Sequence, residues 1–262
     1  MTSLHSTALV TGASTGIGAM YAKKLAGRGY HLVLVARDIK RLESLAAELR
    51  SDFGVQVDVV RADLTNPQDL YQVEKRLRED PAIGLLVNNA GAANHGSFID
   101  ADPDKMETLI DLNVLAVTRL TAAALAGMLA RGQGSIINIA SVVGLAPEFP
   151  LGIYGATKSF VIAMSQALNA ELGEKGIYVQ AVLPAATRTE IWERAGRDVN
   201  ALQGVMEVEE MVDAALVGFD RRETVTIPPL HDESLWQAYE TARQAMLPHF
   251  AQSHAADRYQ TK

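Results

Sequence analysis

The chain has 262 residues, a formal net charge of −7 and no cysteine; 48% of its residues are hydrophobic and 21% charged. This suits one large soluble α/β domain, assigned to 1–262. The charge has the wrong sign for a nucleic-acid footprint. Without cysteine there are no disulfides, thiol nucleophiles or cysteine-held metals, which fits a reducing cytoplasm. The N-terminal Met-Thr-Ser-Leu-His-Ser-Thr lacks a basic region followed by a long apolar stretch, so no signal peptide is expected. The longest small-apolar stretch, Ala122 to Ala130, is shorter than the roughly 20 residues that span a bilayer, so no membrane partner is expected either.

In chain order, strands are expected at Ala8–Thr11, His31–Ala36, Val55–Arg61, Ile83–Asn88, Ser135–Ala140, Ile177–Leu183 and Thr224–Ile227. Runs such as Leu32-Val-Leu-Val35 are apolar throughout, as strands covered on both faces must be. Between the strands lie helical stripes: Ile39, Leu42, Leu45, Ala46 and Leu49, then Leu70, Val73 and Leu77. Alternating strands and helices imply a parallel sheet with helices on both sides. Ala185 to Gly204 is polar and weakly periodic, and a substrate loop or lid is expected over 185–206. A C-terminal extension, 232–262, opens with an extra helix, Asp232 to Leu247, and ends in a frayed tail.

The first strand runs into Thr11-Gly12-Ala13-Ser14-Thr15-Gly16-Ile17-Gly18, and a helix follows. Glycines between a strand and a helix N-terminus bare backbone N–H groups to an anion, so this turn is expected to hold a dinucleotide pyrophosphate. The second strand ends Val35-Ala36-Arg37-Asp38. An acid there holds the ribose hydroxyls of NAD, whereas an arginine accepts a 2′-phosphate. The small Ala36 followed by Arg37 favours NADP; Asp38 argues the other way unless it caps the next helix. Further on, Tyr154 and Lys158 stand four apart, on one helix face. A nearby ammonium favours the phenolate, which makes the pair a proton-transfer device for an alcohol or carbonyl.

Together these residues resemble the short-chain dehydrogenase/reductase family over about Thr7 to Ile227. The glycine turn matches its Thr-Gly-x-x-x-Gly-x-Gly pattern, Asn88-Asn89-Ala90-Gly91 its Asn-Asn-Ala-Gly motif, and Tyr154 with Lys158 its Tyr-x-x-x-Lys. Asn113 in Asp111-Leu-Asn-Val and Ser141 at the end of the fifth strand complete the set. The resemblance implies a Rossmann-type, doubly wound, seven-stranded parallel sheet in a three-layer αβα arrangement. It implies that Tyr154 is the general acid in reduction and that Lys158 binds the nicotinamide ribose and depresses the tyrosine pKa. Ser141 would hold the substrate oxygen, and Asn113 a water leading to Lys158. Asp63 would contact the adenine, with Asn89, Ala90 and Gly91 lining the adenosine side. On their own, Ser141 reads equally as a cap for the next segment and Asn113 as a partner for helix backbone.

The chain departs from the family after the sixth strand, where Pro184-Ala-Ala-Thr-Arg-Thr189 stands for Pro-Gly-x-Val-x-Thr. Pro184, the Thr187 backbone and the Thr189 side chain should meet the nicotinamide. The glycine-rich ending that builds a family tetramer interface is replaced by Ile227-Pro-Pro-Leu230, so a homodimer or an altered homotetramer is expected. Val143, Leu145, Phe149, Ile191 and Trp192 lie near the expected pocket and favour a hydrophobic carbonyl or alcohol; Trp192 also reads as a lid anchor, and His95 as a pocket or surface residue. An NADP-dependent carbonyl/alcohol oxidoreductase is the leading expectation. A 3-oxoacyl thioester reductase shares every catalytic residue, and a non-catalytic NADP-binding regulator shares the fold.

Overall fold

The structure is a computed structural model that describes residues 6–93, 98–149, 151–194 and 198–259. Seven parallel strands form one sheet in the order β3-β2-β1-β4-β5-β6-β7. They are β1 (Thr7–Thr11), β2 (His31–Ala36), β3 (Val57–Arg61), β4 (Ile83–Asn88), β5 (Gly134–Ile139), β6 (Ile177–Val182) and β7 (Val225–Thr226). The expected ends differ by one or two residues. The β5 ladder outlasts its last strand residue, since the Ala140 N–H still donates to the Val182 carbonyl at 2.8 Å.

Alternate strand residues point to two cores, which makes three layers. Ala8, Val10, Leu32, Leu34, Leu85 and Val87 face one side, with buried residues of α1 (Gly16–Gly27), α2 (Ile39–Phe53) and α8 (Val208–Asp220). Leu9, Val33, Val35, Leu86 and Ile136 face the other, with α3 (Pro67–Glu79), α5 (Val117–Arg131) and the end of α6 (Ile153–Leu172). Local chemistry sets the helix ends. Asp38 caps α2, which stops at left-handed Gly54, and Asn66 caps α3 with Pro67 in its first turn.

An element the sequence did not announce interrupts the next helix. α4 (Pro103–Ile110) passes through a π-helical turn, Asp111–Ala116, directly into α5. The joined run Pro103–Arg131 is long and apolar enough to cross a bilayer, unlike the short stretch picked out above. Here its apolar side includes Leu109, Ala116, Leu120, Ala123, Ala124 and Met128, all buried.

Between β6 and α8 lie a short helix, α7 (Ile191–Arg194), and a 3-10 turn, Val199–Ala201. The chain divides into two compact units, Met1–Pro228 and Pro229–Lys262. In the second, Asp232 caps α9 (Glu233–Ala245), and Trp236 stacks on Tyr239 with ring centroids 5.3 Å apart.

The strand order reverses between β1 and β4, which opens a crevice at their carboxyl ends. Farther along that edge a 3-10 turn, Val142–Gly144, lies against α6. A Cβ on Gly144 would stand 2.8 Å from the Lys158 carbonyl carbon and 2.9 Å from the Ser159 nitrogen. Backbone cannot yield as a flexible side chain does. Gly144→Ala is therefore expected to destabilise the fold by about 2 kcal/mol, read from the urea midpoint. An unchanged midpoint would show that the turn shifts freely.

Candidate active site

The glycine turn is held by β4. The Thr11 hydroxyl accepts from the N–H groups of Asn89 and Ala90, each at 3.0 Å. The Asn89 amide donates to the carbonyls of Thr11 (2.9 Å) and Gly12 (3.3 Å). Gly12 and Gly16 both take positive φ, 66° and 57°, which side chains rarely adopt. Thr15, at the N-cap of α1, makes no side-chain cap bond, and no acid lies in the first turn. The positive end of α1 thus meets an approaching anion, and these residues fit a dinucleotide pyrophosphate. Ser14 and Ile17, within the same turn, are both half-buried.

At the end of β2, Asp38 takes the capping role: its carboxylate accepts from the Arg41 N–H at 3.1 Å. Arg37 is 72% exposed, with its guanidinium 3.8 Å from the Asp63 carboxylate. Asp63 turns inward, accepting from the Thr65 N–H (3.0 Å) and hydroxyl (2.7 Å). These bonds and Arg37 hold its carboxyl below the usual range against the opposing effect of burial. The arginine is thus the group of this pair free to reach a ligand phosphate.

Residues Pro184–Thr189 follow β6. Among the described residues the one non-glycine with positive φ is Arg222, so Ala185 introduces no left-handed backbone. The Pro184 carbonyl accepts from the Val142 N–H (3.0 Å) and the Ser141 hydroxyl (3.2 Å), locking the ends of β5 and β6 together. Thr187 is buried and bridges Met206. The Trp192 indole donates to the Thr187 carbonyl at 2.8 Å, so it anchors this loop. Val143, Leu145 and Ile191 are half-buried and Phe149 is exposed; His95 lies outside the described residues.

Ser141, Tyr154, Lys158 and Asn113 converge where β5 meets α6 and the π-turn. The Lys158 ammonium lies 5.7 Å from the Tyr154 ring centroid and donates to the Ile139 carbonyl at 2.8 Å. A Cβ at Gly91 would stand 3.2 Å from Asn113 Oδ1 and 3.7 Å from Lys158 Nζ, so glycine keeps these neighbours close. Asn113 is engaged at both ends. Its oxygen accepts from the Ala92 N–H at 3.0 Å, and its nitrogen donates to the Ala92 carbonyl (2.9 Å) and the Thr157 hydroxyl (3.2 Å). Ser141 also caps the Val142–Gly144 turn, as its residue type alone allows. Thr157, the π-turn and the bonds that Thr11 makes to Asn89 and Ala90 could not be read from the sequence, because they depend on partners far along the chain.

The electrostatics correct one expectation. Tyr154 does not have a depressed pKa. Burial pushes it up to about 12, opposed in part by the Ser141 hydroxyl. Although part of the side chain meets solvent, crowding around the phenol dominates. Burial also lowers Lys158 to about 8. The folded protein therefore binds fewer protons than the unfolded chain between about pH 8 and 10.5, and stability rises with pH across that window. Below about pH 8 the cost of the buried ammonium is fully present. Lys158→Met is expected to be more stable than the parent at pH 7 by about 2 kcal/mol. That advantage should shrink in urea titrations at pH 10, and a pH-independent difference would contradict the burial argument.

Residues 6–200 match the family model described as short chain dehydrogenase. A short-chain dehydrogenase from Sphingobium yanoikuyae, solved in complex with NADPH, is 60% identical, with a TM-score of 0.96 over 97% of this chain and 100% of its own. The bulky-bulky ketone specific alcohol dehydrogenase from Comamonas testosteroni is 54% identical, with a TM-score of 0.91 over 98% of this chain and 99% of its own. Among curated relatives, the very-long-chain 3-oxoacyl-CoA reductase of Anas platyrhynchos is 40% identical over 70% of this chain. The chain spans 60% of that relative's length. A family model covering most of the chain, joined to a glycine turn and a Tyr-Lys pair on the carboxyl edge of one parallel sheet, establishes that the chain belongs to the short-chain dehydrogenase family.

Proposed function

We propose that this protein is an NADP(H)-dependent oxidoreductase that interconverts bulky hydrophobic ketones and secondary alcohols. The observation that carries the reading is the convergence of a buried ammonium, a crowded phenol and the Ser141 hydroxyl at the end of β5. When bound, the reduced nicotinamide supplies a hydride to the carbonyl carbon. Charge then builds on the carbonyl oxygen, where Ser141 donates a hydrogen bond and Tyr154 delivers its proton, leaving the alcohol. Lys158 stabilises the phenolate left behind, and Asn113 holds the Ala92 backbone beside it. With its pKa near 12, Tyr154 is protonated at neutral pH, which suits reduction.

The NADPH-bound Sphingobium relative and exposed Arg37 support NADP over NAD; on this reading Gly12–Gly18, Asn89–Gly91 and Pro184–Thr189 flank the cofactor. The bulky-ketone relative supports the substrate class. The 40% identical 3-oxoacyl-CoA reductase favours a second reading, a 3-oxoacyl thioester substrate on the same residues. The reading includes a cytoplasmic homo-oligomer: a cysteine-free chain suits a reducing compartment, and Ile110, Leu115 and Phe160 expose apolar surface.

A panel of aryl ketones and 3-oxoacyl thioesters, followed by loss of NADPH absorbance, tests the reading. Turnover on neither class would point to a non-catalytic nucleotide-binding role. Tyr154→Phe is expected to keep NADPH affinity and lose at least about 100-fold in kcat. In the parent, ketone reduction should be flat between about pH 5 and 7, where Tyr154 and Lys158 both keep their protons, while alcohol oxidation climbs, because oxidation needs the phenolate. A fall in reduction across that range would contradict the assignment of Tyr154 as donor.

Arg37→Asp is expected to weaken NADPH binding by at least about tenfold and leave NADH affinity nearly unchanged. Equal losses for the two nucleotides in a fluorescence titration would remove Arg37 from cofactor choice.

A further inference from the structure

We infer that Arg41 and Glu190 are a positioning pair: at the adenosine end of the site they fasten the segment Thr187–Glu190 across the dinucleotide path. The inference rests on the nucleotide-binding reading above.

Arg41 lies in the first turn of α2, one turn beyond Arg37. Its Nη1 donates to both carboxylate oxygens of Glu190, at 2.9 and 2.7 Å. Its Nε sits 3.5 Å from the Asp38 carboxylate, which steadies the guanidinium toward the loop. The two partners are 149 residues apart in sequence. Next to Glu190, the Thr189 methyl would lie 3.1 Å from a Cβ on Gly16, so the segment crosses directly over the glycine turn.

The other end of the same loop is tied to the body of the fold. Thr187 bridges Met206, and Arg188 donates to Glu207 (2.7 Å) and Asn200 (2.8 Å). Thr187 and Thr189 are the residues that the family resemblance assigns to the nicotinamide. Holding Glu190 on α2 therefore fixes a chain that runs from the nicotinamide end to the ribose end. A dinucleotide reaching from Arg37 to Lys158 passes beneath it.

Both partners are substantially exposed, at 47% and 42%. Exposed ion pairs add little to global stability. Their influence falls instead on a local balance, here between a segment lying on the nucleotide and one lifted from it. The pair must part when a nucleotide enters or leaves, and closing it retards release. It does not need the 2′-phosphate, so NADPH and NADH should respond alike.

The test is the rate at which bound NADPH and NADH leave, followed as loss of their fluorescence in a chase with excess NADP+ or NAD+. Glu190→Gln and Arg41→Gln are expected to release both nucleotides roughly two- to fivefold faster, with unfolding midpoints unchanged. The exchanged double variant, Arg41→Glu with Glu190→Arg, should return toward the parent rate, which separates pairing from general surface charge. Arg41→Gln that loses NADPH but not NADH overturns the proposal and makes Arg41 a phosphate ligand. Parent protein that holds NADPH, with variants releasing it at the parent rate, overturns the pair's role alone. Parent protein that binds neither nucleotide overturns the functional reading and the pair's role with it.

Discussion

The ammonium of Lys158 is enclosed by the fold, and much of the site follows from accommodating it. A buried cation needs an acceptor, and the Ile139 carbonyl at the end of β5 supplies one. To reach that carbonyl, α6 must come close to the sheet edge, which Gly144 permits by carrying no side chain against the α6 backbone. Gly91 does the same on the β4 side, and the π-turn brings Asn113 in to hold the Ala92 backbone there. The extra residue of a π-turn rotates a side chain out of the helical register, and here it turns Asn113 inward. Tyr154 is positioned by the same packing. The crowding that lowers the lysine also raises the phenol, so the site starts from a protonated tyrosine rather than a preformed phenolate.

The architecture was legible in the sequence because strands covered on both faces cannot hide. Leu32-Val-Leu-Val35 and Leu85-Leu-Val87 have no polar position to face water, and each became an interior strand. The helices were nearly as plain: of the stripe in α2, Leu42, Leu45, Ala46 and Leu49 are buried, as their spacing required, while Ile39 in the first turn is exposed. The glycine turn and the Tyr154–Lys158 spacing could be read because a tight turn and a helix face are local properties.

What escaped was non-local. Nothing in Asp111-Leu-Asn-Val-Leu-Ala116 marks a π-turn by residue type or spacing. The Arg41–Glu190 contact joins residues from opposite halves of the chain, and neither side chain is unusual alone. The tyrosine pKa was misjudged for a related reason. Sequence places a lysine four residues away, but the outcome depends on how much water the fold excludes, and burial outweighs the opposing hydrogen bond with Ser141. The Pro184–Thr189 segment looked anomalous by its missing glycine, yet its backbone takes no conformation that alanine resists.

The strand order also governs how the chain can assemble during synthesis. Thr7 of β1 pairs with His31 soon after it emerges, but its other neighbour, Ile83, comes only when β4 is made. The nucleotide-binding half can then close around β1 before β5 and β6 exist. Ser141, Tyr154, Lys158 and the loop after β6 all arrive later, from the second half of the chain. A nascent chain halted after β4 would hold the glycine turn in place with no proton donor beside it.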